Sequence, residues 1–479
     1  MNTRLLKEFR ILWLPLAATL LLIVVPCLIW GSDSLPWQIY PFGAGCVIMA
    51  ALSFGAEFQN RTLGQLLTQP VSREKIWGEK MLVLAACLLC ALVTGLLTVW
   101  FVVPVADLRQ VPWLVVCALP VAAFCSAPLN VLFYRNTLVG IIASVALPVL
   151  PLGLVAGIGA WLFPERSVEV PLQITAVLYC LLCAWLGFEK FKTLQHLDAH
   201  TQEVGLPAKL EDFFERPIRR LSAAWTGPFA SLVKKELHLQ KIIFLFAAMF
   251  LLVAVVATAL HPFKPGVAEG ILLADVVLFI ALVPIISPAV AFAEERTWGM
   301  AQWHLSLPPS ARRQWTAKLL VILAINFFLG LLLPVAMILV IRRLMGSPHE
   351  YNLNHLDDFT NSSCLMMYSL VTFVSFFAAS LSSNTIRAMF SSIGLFILCL
   401  VLIMVTGRTA DNYFRTAAVA YVPMPALVVG LVFVLFVLRL SYLNFRVPDL
   451  SRLRVLLQTG LFLTLTCLLA LFALFFAQN

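Results

Sequence analysis

Apolar residues fill runs of about 18 to 25 positions that recur along the whole chain, the length a helix needs to cross a ~30 Å hydrocarbon core. Thirteen such runs are read, at approximately 11–30, 37–55, 81–103, 112–133, 138–163, 171–188, 242–260, 271–293, 319–341, 364–381, 388–406, 417–438 and 457–477. In lipid every backbone polar group of such a run must be satisfied internally, so each is expected to be a helix. The expected fold is an all-α polytopic membrane protein of about 13 transmembrane helices.

Composition agrees. Of 479 residues 61% are hydrophobic and only 12% charged, about half the charged share of a soluble chain, which excludes a soluble enzyme. With a cytoplasmic N-terminus, 26 of the 33 Lys and Arg fall on the inside and seven on the outside, as the positive-inside rule requires. The formal charge of +9 then reports topology and a cytoplasmic docking surface in the cell membrane, and no nucleic acid. The first run is too long for a signal peptide and lacks a small-x-small cleavage site before Gly31. Residues 1–10 read as a short interfacial elbow helix, Leu5, Leu6 and Phe9 toward lipid and the bases toward headgroups. Most of the eleven Cys lie inside apolar runs and act as small hydrophobes.

The chain is similar to itself. Leu6-Lys7-Glu8-Phe9-Arg10 before the first run is echoed by Val233-Lys234-Lys235-Glu236-Leu237 before the seventh. RTLGQLLTQPVSREKIWGEK (61–80) meets RTWGMAQWHLSLPPSARRQWTAK (296–318), with Pro70 and Pro308, Ser72 and Ser310, Trp77 and Trp315, and Lys80 and Lys318 at equal spacing from the proline. Phe188-x-x-Phe191-Lys192 returns as Tyr442-x-x-Phe445-Arg446. Each half is thus an elbow, six spans and one long cytoplasmic loop, giving two parallel six-helix repeats plus one C-terminal helix. The divisions are 1–192 for the first half, 193–230 for a cytoplasmic linker, 231–446 for the second half and 447–479 for the extra helix.

In the first loop Glu57 and Arg61 have the i,i+4 spacing of a helical pair, and Leu63, Leu66 and Leu67 make a small apolar face. Pro70-Val71-Ser72-Arg73 opens a second helix with Ser72 as N-cap. The apolar face of so short a projection needs cover from the protein's own spans or from a partner. Glu57, Thr62-Leu63, Leu66-Leu67, Pro70-Val71-Ser72-Arg73, Gly78 and Lys80 resemble the cytoplasmic coupling loop of ABC-2 type ABC-transporter permeases, with Arg61 and Gly64 where that family has Gly and Glu. The second copy departs further: three residues stand extra before Pro308, Pro309 takes the Val place, and Arg312 follows Ala311.

The resemblance implies a permease, normally two chains and here fused, whose loops at 56–80 and 294–318 dock on a separate cytoplasmic ABC ATPase dimer. Coupling would fall to Glu57, Arg61, Thr62, Leu66, Leu67, Pro70, Ser72, Arg73 and Lys80, and in the weaker copy to Arg296, Thr297, Pro308, Ser310, Arg312 and Lys318, with Lys7, Glu8, Lys235 and Glu236 in the elbows. The chain has no G-x-x-x-x-G-K-[ST] motif, so ATP and Mg are expected on the partner, with no cofactor here and export as the direction. An ion-coupled secondary transporter is the alternative. It needs ionisable residues near the bilayer middle, and these are nearly absent: Asp275 is the only clear one within a run, and it stands close to the outer end of the eighth. No paired acids or Ser/His arrangement suits an intramembrane enzyme, and none of the seven His has ligand spacing. Pro148 and Pro151 are expected to break the fifth run, and Gly153 to permit close helix packing.

Overall fold

A computed structural model describes residues 3–30, 35–60, 62–102, 113–162, 169–194, 216, 227–261, 265–297, 309–345, 362–413, 424–447 and 451–477. Every regular element among them is helical. In chain order these are α1 (Thr3–Trp30), α2 (Leu35–Gln59), α3 (Leu63–Leu67), α4 (Arg73–Val102), α5 (Trp113–Tyr134), α6 (Thr137–Ala146), α7 (Val149–Leu162) and α8 (Glu169–Thr193). Then follow α9 (Pro228–Leu239), α10 (Lys241–Leu260), α11 (Pro265–Thr297), α12 (Ala311–Ile325), a π-helical segment (Asn326–Leu332) and α13 (Leu333–Met345). The chain closes with α14 (Ser362–Leu381), α15 (Thr385–Tyr413), α16 (Met424–Phe445) and α17 (Arg452–Ala477). Ten stretches among the described residues are long and apolar enough to cross a membrane, so the chain is a multi-pass membrane protein.

Two features differ from the sequence expectation. Residues 3–10 are no separate elbow: α1 runs unbroken from Thr3 to Trp30, because neither glycine nor proline interrupts it before Pro15. In the second half the elbow is distinct, with α9 ending at Leu239 and α10 starting at Lys241. The linker at 193–230 lies almost wholly outside the described residues.

The helices gather into two compact units, Met1–Arg216 with Phe244–Leu278, and Pro217–Ile243 with Phe279–Asn479. In the first, α2 is the central helix, packed by α1, α4, α5 and α6, and its Cys46, Met49, Ala50, Ala51 and Phe54 are fully buried. Small residues permit the approach: a Cβ at Gly45 would sit 2.4 Å from Thr19 Oγ1, and one at Gly55 2.4 Å from Thr137 Cγ2. The fifth apolar run is broken at Leu147-Pro148, between α6 and α7. Asn136 caps α6 by accepting from the Leu138 and Val139 amides. Gly153 of α7 lies against Val256 of α10.

In the second unit α14, α15, α16 and α17 surround one core, centred on Phe377 of α14 stacked on Phe462 of α17, ring centroids 4.7 Å apart. The C-terminal helix is therefore an integral wall of this unit.

Candidate functional site

The α2–α4 end of the first unit is tied by one buried charge cluster. The Lys80 ammonium on α4 is 1% exposed. It donates to Glu8 Oε2 at 2.7 Å, to the Ser53 carbonyl at 3.0 Å and to Glu57 Oε1 at 3.3 Å. Glu57 also accepts from Lys7 at 3.1 Å and from the Thr62 hydroxyl. Two ammoniums and two carboxylates sum to zero, which is what allows charges to be buried there. Beside them a cavity of about 410 Å³ is lined by Leu6, Lys7, Arg10, Ile11, Glu57, Asn60 and Thr62.

The second unit repeats the arrangement. Lys318 on α12, 2% exposed, donates to Glu236 Oε2 at 2.9 Å and to the Ala291 carbonyl at 2.8 Å, and lies 2.9 Å from Glu295 Oε1. Lys235 pairs with Glu295 and Glu236. Lysine and carbonyl are 27 residues apart in both units, and Glu57 to Lys80 spans the same 23 residues as Glu295 to Lys318. The rings follow suit: Phe54 lies under Lys80 and Phe292 under Lys318. Phe54 meets Phe191 and Trp77 meets Phe188, just as Phe292 meets Phe445 and Trp315 meets Tyr442.

Burial opposes ionisation of both second-unit carboxyls. At Glu236 it prevails and raises the pKa above the usual carboxylate value; at Glu295 the Lys318 and Lys235 ammoniums overcome it and hold the carboxyl at about 2. Arginines tie these ends to further helices. Arg73 donates to the Lys192 carbonyl at the end of α8. Arg296 donates to the Ser380 and Ser382 carbonyls at the end of α14 and to Asn444 at the end of α16, at 2.7, 3.0 and 3.2 Å. Each satisfies carbonyls that a helix C-terminus leaves open and sets a cation at the negative end of its dipole. Burial lowers the Arg296 pKa to about 10, against the pull of Glu295, so the group stays charged at pH 7.

The residues read from the sequence therefore divide. Glu57, Lys80, Glu8, Glu236 and Lys318 are interior ties, joined by Lys7, Lys235 and Thr62. Glu57 bonds α4, α1 and the loop; its i,i+4 neighbour Arg61 lies outside the described residues. On α3, Leu63 and Leu66 are buried in their own unit and Leu67 is half-buried, so the protein covers most of its own apolar loop face. Gln65, Thr68, Gln69, Pro70 and Ser72 make the exposed ridge, as Ser310 and Arg312 do before and on α12. Arg61, Pro308 and the Thr297 side chain lie outside the described residues.

Sequence reading missed Glu295. The Arg-Thr-x-Gly match sets Arg61 opposite Arg296, whereas the equal glutamate-to-lysine spacings set Glu57 opposite Glu295, one residue before Arg296. In that register the extra three residues vanish and only the Arg-Thr pair is displaced. The signal was available in the Phe-x-x-Glu that stands 23 residues before each lysine.

Neither a curated protein nor a solved structure matches the chain. Residues 6–158, spanning most of α1 through most of α7, match the family model described as ABC-2 family transporter protein, which supports an ABC-2 permease and marks the first third of the chain as similar to the membrane component of such transporters.

Proposed function

We propose that the chain is the permease of an ATP-driven ABC-2 type transporter, with both permease halves in one polypeptide and a dimeric ATPase as a separate cytoplasmic partner. The match over residues 6–158 carries the reading. The second charge cluster, with the residue spacing of the first, supports extending it to the second half. In this reading the thirteen spans form two six-helix repeats plus α17, with limits at 1–192, 231–446 and 447–479. The N-terminus lies in the cytoplasm, the linker tethers the halves, and transport runs outward. ATP and Mg belong to the partner.

The geometry supports a specific division of labour. The partner would press on the exposed ridge Gln65, Thr68, Gln69, Pro70 and Ser72, and on Ser310 and Arg312 in the second half. Thr62 and Glu57 join that loop to α2, Lys80 joins α4 to α1 and α2, and Arg73 joins α4 to α8. A push on the loop therefore reaches four helix ends through side chains that these bonds hold in place. In the second unit Lys318 and Arg296 join α12, α9, α11, α14 and α16 in the same way.

The test is affinity purification of the chain after gentle solubilisation, with ATPase activity and peptide mass spectrometry on what accompanies it. An ATPase subunit is expected, released by Pro70→Ala with Gln69→Glu at the ridge while the permease stays folded. Absence of any ATPase, or transport driven by an ion gradient without ATP, overturns the reading in favour of a secondary transporter.

A further inference from the structure

The middle of span Ala311–Ile341 departs from an α-helix. Asn326–Leu332 is π-helical, a rare local widening that is frequent at functional sites. It opens on Asn326, which is 2% exposed, yet among the described residues neither Oδ1 nor Nδ2 of its side chain has a hydrogen-bond partner. Its backbone carbonyl accepts from the Tyr368 hydroxyl at 2.8 Å. That hydroxyl occupies space only a glycine leaves, since a Cβ at Gly330 would stand 1.9 Å from it. Thr372 and Ser375 follow Tyr368 on the same face of α14, both buried, and the Ser375 hydroxyl has no partner either.

The fold does not require this. The register fixed by Lys80 and Lys318 sets Asn326 opposite Leu88, which is equally buried in the unbroken helix α4. A leucine serves the same place in the first unit, so the amide is retained against its own desolvation. The segments that carry Asn326, Tyr368 and Val283, residues 319–341, 362–381 and 279–293, contain no Asp, Glu, Lys or Arg, so they offer an ionic group no counter-charge. Phe327, Phe328 and Leu332 on the same π turn are exposed, which gives the segment a face toward the bilayer.

We propose that Asn326 is the hydrogen-bonding point of a binding site in the second unit, taking the neutral hydroxyl or amide of an otherwise apolar molecule that arrives from the lipid. Tyr368 and Gly330 position it by holding the π turn. Its use in transport rests on the permease reading; binding itself does not.

The test uses the full chain in nanodiscs, without ATPase or nucleotide. The probes are a diazirine-bearing octanol and the same diazirine on octane. The alcohol probe is expected to label peptides containing 326–332 and 365–375 saturably, to be displaced by unlabelled octanol but not by octane, and to lose at least tenfold of that labelling in Asn326→Leu, which keeps its melting temperature. The hydrocarbon probe labels wild type and variant alike. Equal labelling by both probes, displacement by neither competitor, or undiminished labelling in a folded Asn326→Leu overturns the proposal. An amide that takes only water gives the second of these results. Should Asn326→Leu not fold, the wild-type displacement decides alone. Failure to find an ATPase changes none of these outcomes, so the two readings fail separately.

Discussion

Replacing Lys80 by Met removes one charge from a cluster that is neutral only with it. The ammonium is buried, 2.7 Å from Glu8 Oε2 and 3.3 Å from Glu57 Oε1, and of the two carboxylates Glu57 keeps Lys7 and Thr62 when the ammonium is lost. The variant leaves Lys7, Glu8 and Glu57 with a net charge of −1, and breaking one side of a buried pair costs about 3–5 kcal/mol. Adding Glu8→Gln restores neutrality, and the double variant should regain at least about 2 kcal/mol of that loss, because an amide is far cheaper to bury than a carboxylate. Equilibrium unfolding in mixed micelles titrated with dodecyl sulfate reads the cycle. Lys75→Met, exposed on the same helix, should move stability by less than about 0.5 kcal/mol. A cost within about 1 kcal/mol of wild type for Lys80→Met, or a double variant no better than the single one, refutes charge balance as what holds this end. Lys318→Met with Glu236→Gln should repeat the pattern in the second unit.

Gly330→Ala should cost about 1–3 kcal/mol by overpacking, and less in a Tyr368→Phe background because the colliding atom is the hydroxyl oxygen; the same unfolding assay checks it, and equal cost in both backgrounds counts against the geometry. Asn136→Ala removes the acceptor for two amides of α6 and should lose about 1 kcal/mol, whereas Asn136→Asp should lose little. Glu295 sits at about 2 against an ordinary 4.5, so its contribution is complete above about pH 4.5 and is lost as pH falls toward 2; Glu236, raised by burial, acts with the opposite sign above about 4.5. Unfolding followed against pH should therefore have a shallower slope below 4.5 in Glu295→Gln, with Glu57, also held below its ordinary value, against burial, by Lys80, Thr62 and Lys7, keeping the remainder; a slope unchanged from wild type assigns it elsewhere.

The membrane-spanning helices were legible because lipid imposes one rule on all of them, a long apolar run with its backbone satisfied internally. Where the prediction failed, the deciding information was three-dimensional. Nothing in MNTRLLKEFR separates an interfacial helix from the first turns of a spanning one; the difference is that Glu8 points at Lys80, 72 residues away. The likeness of the 61–80 and 296–318 loops was legible from Pro70, Ser72 and Trp77, but spacing alone could not tell which of their residues face outward. Glu57 and Lys80 turn inward because each finds a partner on another helix, Leu66 is buried as well, and that leaves the less conspicuous Gln65, Thr68 and Gln69 on the surface.

The two units also separate what the architecture needs from what it does not. At the loop end they agree atom for atom in kind: a lysine between two glutamates, a carbonyl 27 residues back, a phenylalanine beneath and a tryptophan three residues earlier. Agreement at that depth, in segments whose exposed residues have drifted apart, fits the proposed role of these ends as rigid points of load, since breaking one side of a buried neutral cluster is costly. Eight residues further along the same helix the agreement ends, with Leu88 in one unit and Asn326 at a π turn in the other. A motor acting on both ends would then move two frames alike while at this position the second holds an unpartnered amide where the first holds a leucine, so symmetric force would act on an asymmetric path.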